Sequence, residues 1–150
     1  MMNRRIFLTL GMSAFAVSLL PVNLKAMNFR ESQPKVWSAT KVEQAMIELF
    51  GTSDAIESNM KIKAPDIAEN GAVIPVTVST KLNASKVAIF QDANPESTVA
   101  VFSVPEGGII DYSVRIKLGQ TGTVTVVALA DGKLYKASKL VKVTIGGCGG

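Results

Sequence analysis

The chain has 150 residues, of which 16 are basic and 12 acidic, with no histidine and a single cysteine. The absence of histidine excludes Ser-His-Asp and Cys-His catalysis, and zinc, copper or haem sites that need an imidazole ligand. One cysteine excludes an internal disulfide, an all-cysteine zinc site and a CxxC redox pair. Three basic residues, Arg4, Arg5 and Lys25, lie near the N-terminus, and without them 13 basic residues face 12 acidic ones. That balance gives no reason to expect nucleic-acid binding.

Residues 1–26 have the layout of an export signal. Arg4 and Arg5 precede an apolar stretch from Ile6 to Leu20, which is short for a bilayer span of about 20 apolar residues. Ala26 provides a small residue at a plausible cleavage position, and the paired arginines are typical of twin-arginine export. We therefore expect a periplasmic protein with no permanent membrane anchor. The alternative is a single anchor that stays attached.

The segment after the signal begins with a predicted amphipathic helix. Thr40 and Glu43 have the spacing of a capping box, and Gly51 is well placed to end the helix. Apolar residues recur between them at helical spacing: Val42, Ala45, Met46, Leu49 and Phe50. We expect this stripe to pack against its own domain rather than against a partner helix.

From Ala72 onward, the apolar residues alternate with a period of two, which predicts strands. Pro75 cannot donate a ladder hydrogen bond, so its strand is expected at a sheet edge or at a bulge. Asp92–Pro95 is predicted to be a turn, and Asp131-Gly132 is a strong hairpin signal. Six or seven short strands indicate a mainly β fold, an Ig-like antiparallel β-sandwich with an N-terminal amphipathic helix, over residues 27–145. The predicted strands lie near 74–78, 87–90, 99–102, 110–116, 123–130 and 134–145.

The last five residues carry the candidate functional group. Cys148 stands third from the C-terminus, between two pairs of glycines: Gly146, Gly147, Gly149 and Gly150. Glycines add no side chain to a core and keep the backbone free, so a buried cysteine is not expected here. Residues 146–150 are instead interpreted as a flexible swinging arm that could carry its thiol about 10 Å beyond Ile145 into a narrow active site.

This predicted arm contains no acid, base or electrophile. An ordinary thiol, with a pKa of about 8.5, is only a few per cent thiolate at neutral pH. Activation of Cys148 is therefore expected to come from the protein that receives the arm. We expect a covalent attachment point at Cys148, with no catalytic residue, metal or cofactor in the chain itself.

Asp66, Glu69 and Asn70 form a polar group that could suggest a metal site or an acid–base pair. Asp66 follows a proline, and Asn70-Gly71 is typical of a turn. We interpret the segment as a structured connection that leads into the next strand, with a partner interface as one use for it.

Two segments are distinctive: Gly146-Gly147-Cys148-Gly149-Gly150 at the C-terminus, and residues 63–76, KAPDIAENGAVIPV. Together they resemble the SoxY family, the cysteine-bearing subunit of the SoxYZ sulfur carrier of thiosulfate oxidation. The resemblance implies that Cys148 binds thiosulfate-derived groups and that the four glycines form the arm. It also implies a heterodimer, or a larger assembly, with a SoxZ-like β-sandwich subunit.

The resemblance further implies transient partners that act on the carried group. A c-type cytochrome joins thiosulfate to the cysteine, a dimanganese hydrolase releases sulfate, and in many organisms a molybdenum enzyme oxidises the remaining sulfur. The competing hypothesis is a non-enzymatic Ig-like binding module that uses its cysteine for a disulfide to another chain. A stand-alone enzyme has little support, because the sequence has no histidine and shows no cluster of polar residues that could form a catalytic site.

Overall fold

A computed structural model describes residues 28–144, so the predicted signal and the predicted arm lie outside the described residues. The described residues form three helices and nine strands. In chain order these are α1 Phe29–Ser32, α2 Pro34–Ser38, α3 Val42–Phe50, β1 Ile56–Glu57, β2 Lys61–Lys63, β3 Ile67–Ala68, β4 Ile74–Thr80, β5 Ala84–Gln91, β6 Thr98–Ser103, β7 Ile110–Ile116, β8 Gly122–Ala130 and β9 Lys133–Val143.

The strands form two sheets, and the prediction of a mainly β sandwich is confirmed. The larger sheet has the order β1-β9-β8-β5-β6, with β3 also pairing with β9, and the smaller sheet has the order β2-β4-β7. The prediction of purely antiparallel pairing is wrong in one respect, because β1 and β3 both run parallel to β9. These two strands have two residues each, which is too short to show an alternation in the sequence.

The main core lies between the two sheets. Ile74, Val76 and Val78 point inward from β4, where all three are fully buried. β8 contributes Val124, Val126 and Ala128 to the same core, while Val127 of β8 packs in a second core beneath the helices. A strand that is covered on both faces needs apolar residues at consecutive positions. This explains why the predicted strand 123–130 is almost continuously apolar.

The helices form a third layer on the outer face of the larger sheet. Ala45, Met46 and Leu49 of α3 are buried against Phe90 and Val127 of the sheet, so the predicted stripe does pack against its own domain. The helical layer is also fastened by hydrogen bonds to the β6 side of the sheet. The Thr98 hydroxyl donates to the carbonyl of Val36 at 2.7 Å, and the amide and hydroxyl of Ser97 both donate to the carbonyl of Ala39.

The two predicted ends of α3 have different outcomes. The prediction of a capping box is wrong. The N-cap residue is Lys41, whose side chain makes no capping hydrogen bond, and Thr40 lies one position earlier. At the other end, Gly51 does terminate the helix. It has a φ of 83°, and its amide donates to the carbonyl of Ile47 at 2.8 Å.

The predicted edge position of the Pro75 strand is wrong, because β4 is the central strand of the smaller sheet. No local sequence pattern predicts β2, which has only three residues and pairs with residues Thr77–Ser79. Pro75 itself pairs with Arg115 of β7 and lies beyond the end of β2. A proline is tolerated there because one flank of β4 is locally without a strand partner.

The two predicted turns are confirmed. A bend that includes Asp92–Pro95 connects β5 to β6. Asp131 and Gly132 join β8 to β9 with φ values of 50° and 71°, the pair of positive values that a type I′ hairpin requires. This hairpin begins β9, the strand that runs the length of the larger sheet and ends next to the C-terminal segment.

Candidate functional site at the root of the C-terminal tail

Cys148 and its four flanking glycines lie outside the described residues, so their predicted role stays a prediction. The structure does describe where the tail begins. Val143 ends β9 and Thr144 is the last described residue. We call these two residues the tail root and describe what holds them.

One side of the tail root is held by β3. Ile67 and Ala68 pair in parallel with Lys142 and Val143. The pairing extends in both directions: the amide of Lys142 donates to the carbonyl of Asp66 at 3.0 Å, and the amide of Thr144 donates to that of Ala68 at 3.1 Å. The segment 63–76 therefore contacts the strand that leads into the tail.

The other side of the tail root is held by a side chain. Backbone pairing between β8 and β9 ends at Gly122 and Val141. Beyond that point, the hydroxyl of Thr121 accepts a hydrogen bond from the amide of Val143 at 3.0 Å. The hydroxyl takes the place of a missing backbone acceptor. The chain is thus held on both flanks up to Val143, and by β3 alone at Thr144.

A buried glutamine organises the loop next to this end of the sheet. Gln91 is 1% exposed, and its Oε1 accepts hydrogen bonds from the amides of Ala93 and Asn94, both at 2.7 Å. Its Nε2 donates to the carbonyl of Glu96. One side chain therefore satisfies three backbone groups of the connection between β5 and β6, as a buried amide must if its burial is not to be costly.

This loop in turn holds the segment that leads to Thr121. Asn94 bridges the β7–β8 connection: its Nδ2 donates to the carbonyl of Lys117 at 2.6 Å, and its Oδ1 accepts from the amide of Gly119 at 2.9 Å. The carboxylate of Asp92 accepts from the amide of Thr123 at 2.6 Å. A chain of polar contacts thus runs from Gln91 to the tail root. Sequence reasoning did not find it, because the contacts from this loop to the β7–β8 connection and to β8, and from Thr121 to Val143, join residues 22 to 31 positions apart.

Replacing Gln91 with leucine is expected to lower the free energy of unfolding by about 2 kcal/mol, because three backbone groups lose a buried partner. Amide hydrogen exchange at Gly119 and Thr123 should also accelerate, since the loop that holds them loosens. Urea denaturation and exchange measurements check both effects. A matched control is Thr125→Val, which removes a surface hydroxyl contact to Ser138 and is expected to cost less than about 0.5 kcal/mol. Equal losses in the two variants would contradict the assigned role of Gln91.

The polar group at 66–70 is part of the connection that holds the tail root. The carboxylate of Asp66 forms an ion pair with Lys139 at 3.0 Å, and Asp66 is 90% exposed, so the pair contributes little to stability. Asn70 forms an Asx turn in which its Oδ1 accepts from the amide of Ala72 at 2.8 Å. These contacts agree with the structured connection expected from the sequence. Among residues 28–144, there is no group of three or more His, Cys, Asp or Glu residues that could hold a metal ion.

A cavity of about 690 Å³ lies far from the tail root, between residues that include Met60, Leu82 and Tyr135. Tyr135 is near the start of β9 and Thr144 follows its end, so about 30 Å of strand separates them at 3.3 Å per residue. Cys148 can lie at most about 14 Å from Thr144, because four residues extend no further. The cavity is therefore out of reach of the chain's own cysteine.

Comparisons with known proteins agree with this architecture. The family model described as "Sulfur oxidation protein SoxY" matches residues 46–148, a range that includes residues 63–76 and ends at Cys148. The solved structure of the sulfur carrier protein SoxY from Chlorobium limicola f thiosulfatophilum is 42% identical, with a TM-score of 0.65. The alignment covers 73% of this chain and 96% of that one. A search of curated proteins found no match.

A second solved structure shares the fold alone. It is a superoxide reductase (neelaredoxin) from Ignicoccus hospitalis, which is 20% identical with a TM-score of 0.50. The alignment covers 56% of this chain and 78% of that one. At that identity, the likeness concerns the sandwich and says nothing about chemistry.

The family match and the fold define a sulfur-oxidation protein of the carrier class rather than an enzyme. The chain belongs to the SoxY family. This confirms the resemblance that the two segments indicated. Within residues 28–144, no helix is both long and apolar enough to cross a bilayer.

Proposed function

We propose that this protein carries sulfur intermediates of thiosulfate oxidation as covalent adducts of Cys148. The observation that carries the proposal is the tail root. The strand is held on both flanks up to Val143 and by β3 at Thr144, and the single cysteine of the chain follows four positions later. Family membership supports the same role. The hydrogen bonds at the tail root would fix the position from which the tail begins. The glycines on either side of Cys148 would allow its thiol to enter another protein.

The loading step forms a disulfide-type bond. The Cys148 thiol and thiosulfate combine to give a cysteine S-thiosulfonate, one proton and two electrons. The two electrons reduce two ferric haem equivalents of a c-type cytochrome, each of which takes one electron. Hydrolysis then breaks the bond between the sulfane sulfur and the terminal sulfone sulfur. This step consumes one water and yields sulfate, two protons and a persulfide anion on Cys148. A dimanganese hydrolase is the enzyme class that the family resemblance implies for this step, and a molybdenum enzyme for later oxidation of the persulfide sulfur.

The short tail determines what its partners must provide. Cys148 lies within about 14 Å of Thr144, so each enzyme must accept the end of the tail in a cleft of no greater depth. We further propose that the body of the domain pairs with a SoxZ-like β-sandwich subunit. Export by the twin-arginine route, with removal of residues 1–26, would place the carrier in the periplasm with these enzymes.

Intact-protein mass spectrometry tests the covalent step. Incubation of the purified protein with thiosulfate and the host's oxidised c-type cytochrome is expected to add the mass of one thiosulfate group, less one hydrogen. Peptide mapping should place the addition on Cys148, and reduction with dithiothreitol should remove it. Protein alkylated at Cys148 beforehand serves as the control. An adduct on another residue, or none at all, would refute the proposed role.

A further inference from the structure

Two exposed apolar side chains lie diagonally across the β3–β9 pairing, next to the tail root. Leu140 of β9 is 52% exposed and Ile67 of β3 is 58% exposed. Ile67 pairs with Lys142, which lies two positions beyond Leu140 on the same strand, so all three side chains project from the same face of the sheet. We call Ile67, Leu140 and Lys142 the Leu140 patch.

The Leu140 patch is on the sheet face that the helices cover elsewhere. Leu134 has the same strand phase as Leu140 and is buried in the core beneath the helices, whereas Val141 points to the opposite, intersheet core. Six residues further along β9, the helical layer has ended and Leu140 faces outward. Single exposed apolar residues need no explanation, but two neighbours on an uncovered sheet face favour contact with another surface.

The length of the tail indicates which surface that is. An enzyme that receives Cys148 must come within about 14 Å of Thr144, since Cys148 is only four positions further along the chain. If its reacting group lies at the bottom of a cleft, the mouth of the cleft must approach the surface around Thr144. The Leu140 patch is directly beside that point, because Lys142 and Thr144 are held by the same β3 segment.

The charge of the patch indicates its partner's chemistry. Lys139 is paired with Asp66 and Lys136 with Glu57, whereas Lys142 is in no ion pair within the part of the chain that the structure describes. A carboxylate on the partner would complement its charge. We propose that the Leu140 patch docks the cleft mouth of the enzyme that loads Cys148, through an apolar rim and an acidic residue opposite Lys142. This inference rests on the proposed carrier function.

Apolar substitutions test the docking contact with a matched control. Leu140→Ser and Ile67→Ser are each expected to raise the KM for the carrier about fivefold in thiosulfate loading by the host's c-type cytochrome, with kcat little changed. Ile56→Ser is the control, because Ile56 is 51% exposed and pairs with Tyr135 near the other end of β9. Reaction with Ellman's reagent should be equally fast in all variants, which shows that the thiol itself is unaffected.

The charged residue is tested by its dependence on salt. Lys142→Glu is expected to lower kcat/KM for loading about tenfold at low ionic strength, with a smaller difference at high salt. Lys133→Glu, at the far end of the same strand, should have little effect.

The possible outcomes separate the two proposals. If unmodified protein gains no thiosulfate on Cys148, the carrier function fails. If it does gain thiosulfate but the Leu140, Ile67 and Lys142 variants load as well as their controls, the docking surface alone is overturned.

Discussion

Replacing Cys148 with serine is expected to abolish carrier turnover, by at least about a thousandfold in a reconstituted thiosulfate-oxidising system, because a hydroxyl cannot form the S–S bond on which the intermediates are held. The free energy of unfolding should not change. Both cores and both sheets of the described fold are built from residues that precede Thr144. Turnover is measured as sulfate released per carrier, and stability by urea denaturation.

The same variant separates the carrier from the binding module considered at the outset. If the cysteine served only to join a second chain, Cys148→Ser would remove an intermolecular disulfide on a non-reducing gel, and sulfate release would continue. Some disulfide-linked dimer is also expected of a carrier, since an exposed thiol oxidises. The decisive result is therefore turnover: sulfate release at the unmodified rate from the serine variant would exclude the covalent mechanism.

The candidate site was only partly accessible from the sequence. Cys148 can be identified as the candidate attachment point from the sequence alone, because it is the single cysteine and stands third from the end among glycines. Thr121, Asp66 and Ala68, which hold the tail root, give no such signal. Their contacts with Val143, Lys142 and Thr144 span from 22 to 76 positions in the chain, and no local pattern reports them.

The fold shows the same division between local and long-range information. Alternation in β4 and the Asp131-Gly132 hairpin are local features, and both were predicted correctly. Pro75 was assigned to an edge strand or a bulge because a proline usually marks one of these, but the neighbour that makes β4 central has only three residues. At Thr40, the capping-box spacing is present, yet the helix begins after Lys41. A matching local pattern does not guarantee the contact it usually forms, since here the Thr40 side chain lies one position before the N-cap.

The second large effect is expected in the core beneath the helices. Phe90→Ala should lower the free energy of unfolding by about 3–5 kcal/mol, the range for truncation of a fully buried phenylalanine. Phe90 is 0% exposed and belongs to the core formed with Met46 and Leu49 of α3 and Val127 of β8. Because the whole stability of a domain this size is about 5–15 kcal/mol, the variant is expected to be close to unfolding at 37 °C.

Phe102→Ala is the matched control. Phe102 is only partly buried and stacks on Tyr112, with ring centroids 4.5 Å apart, so its truncation is expected to cost about 1–2 kcal/mol. Both losses are measured by urea denaturation, together with amide exchange in α3, which should accelerate in the Phe90 variant only. A loss in Phe90→Ala no larger than in Phe102→Ala would show that the helices are not fastened to the sheet through this side chain. If the larger loss is found, the rate of thiosulfate loading per folded molecule should nevertheless be unchanged, because Phe90 lies in the core beneath the helices and the tail root is held by β3 and Thr121.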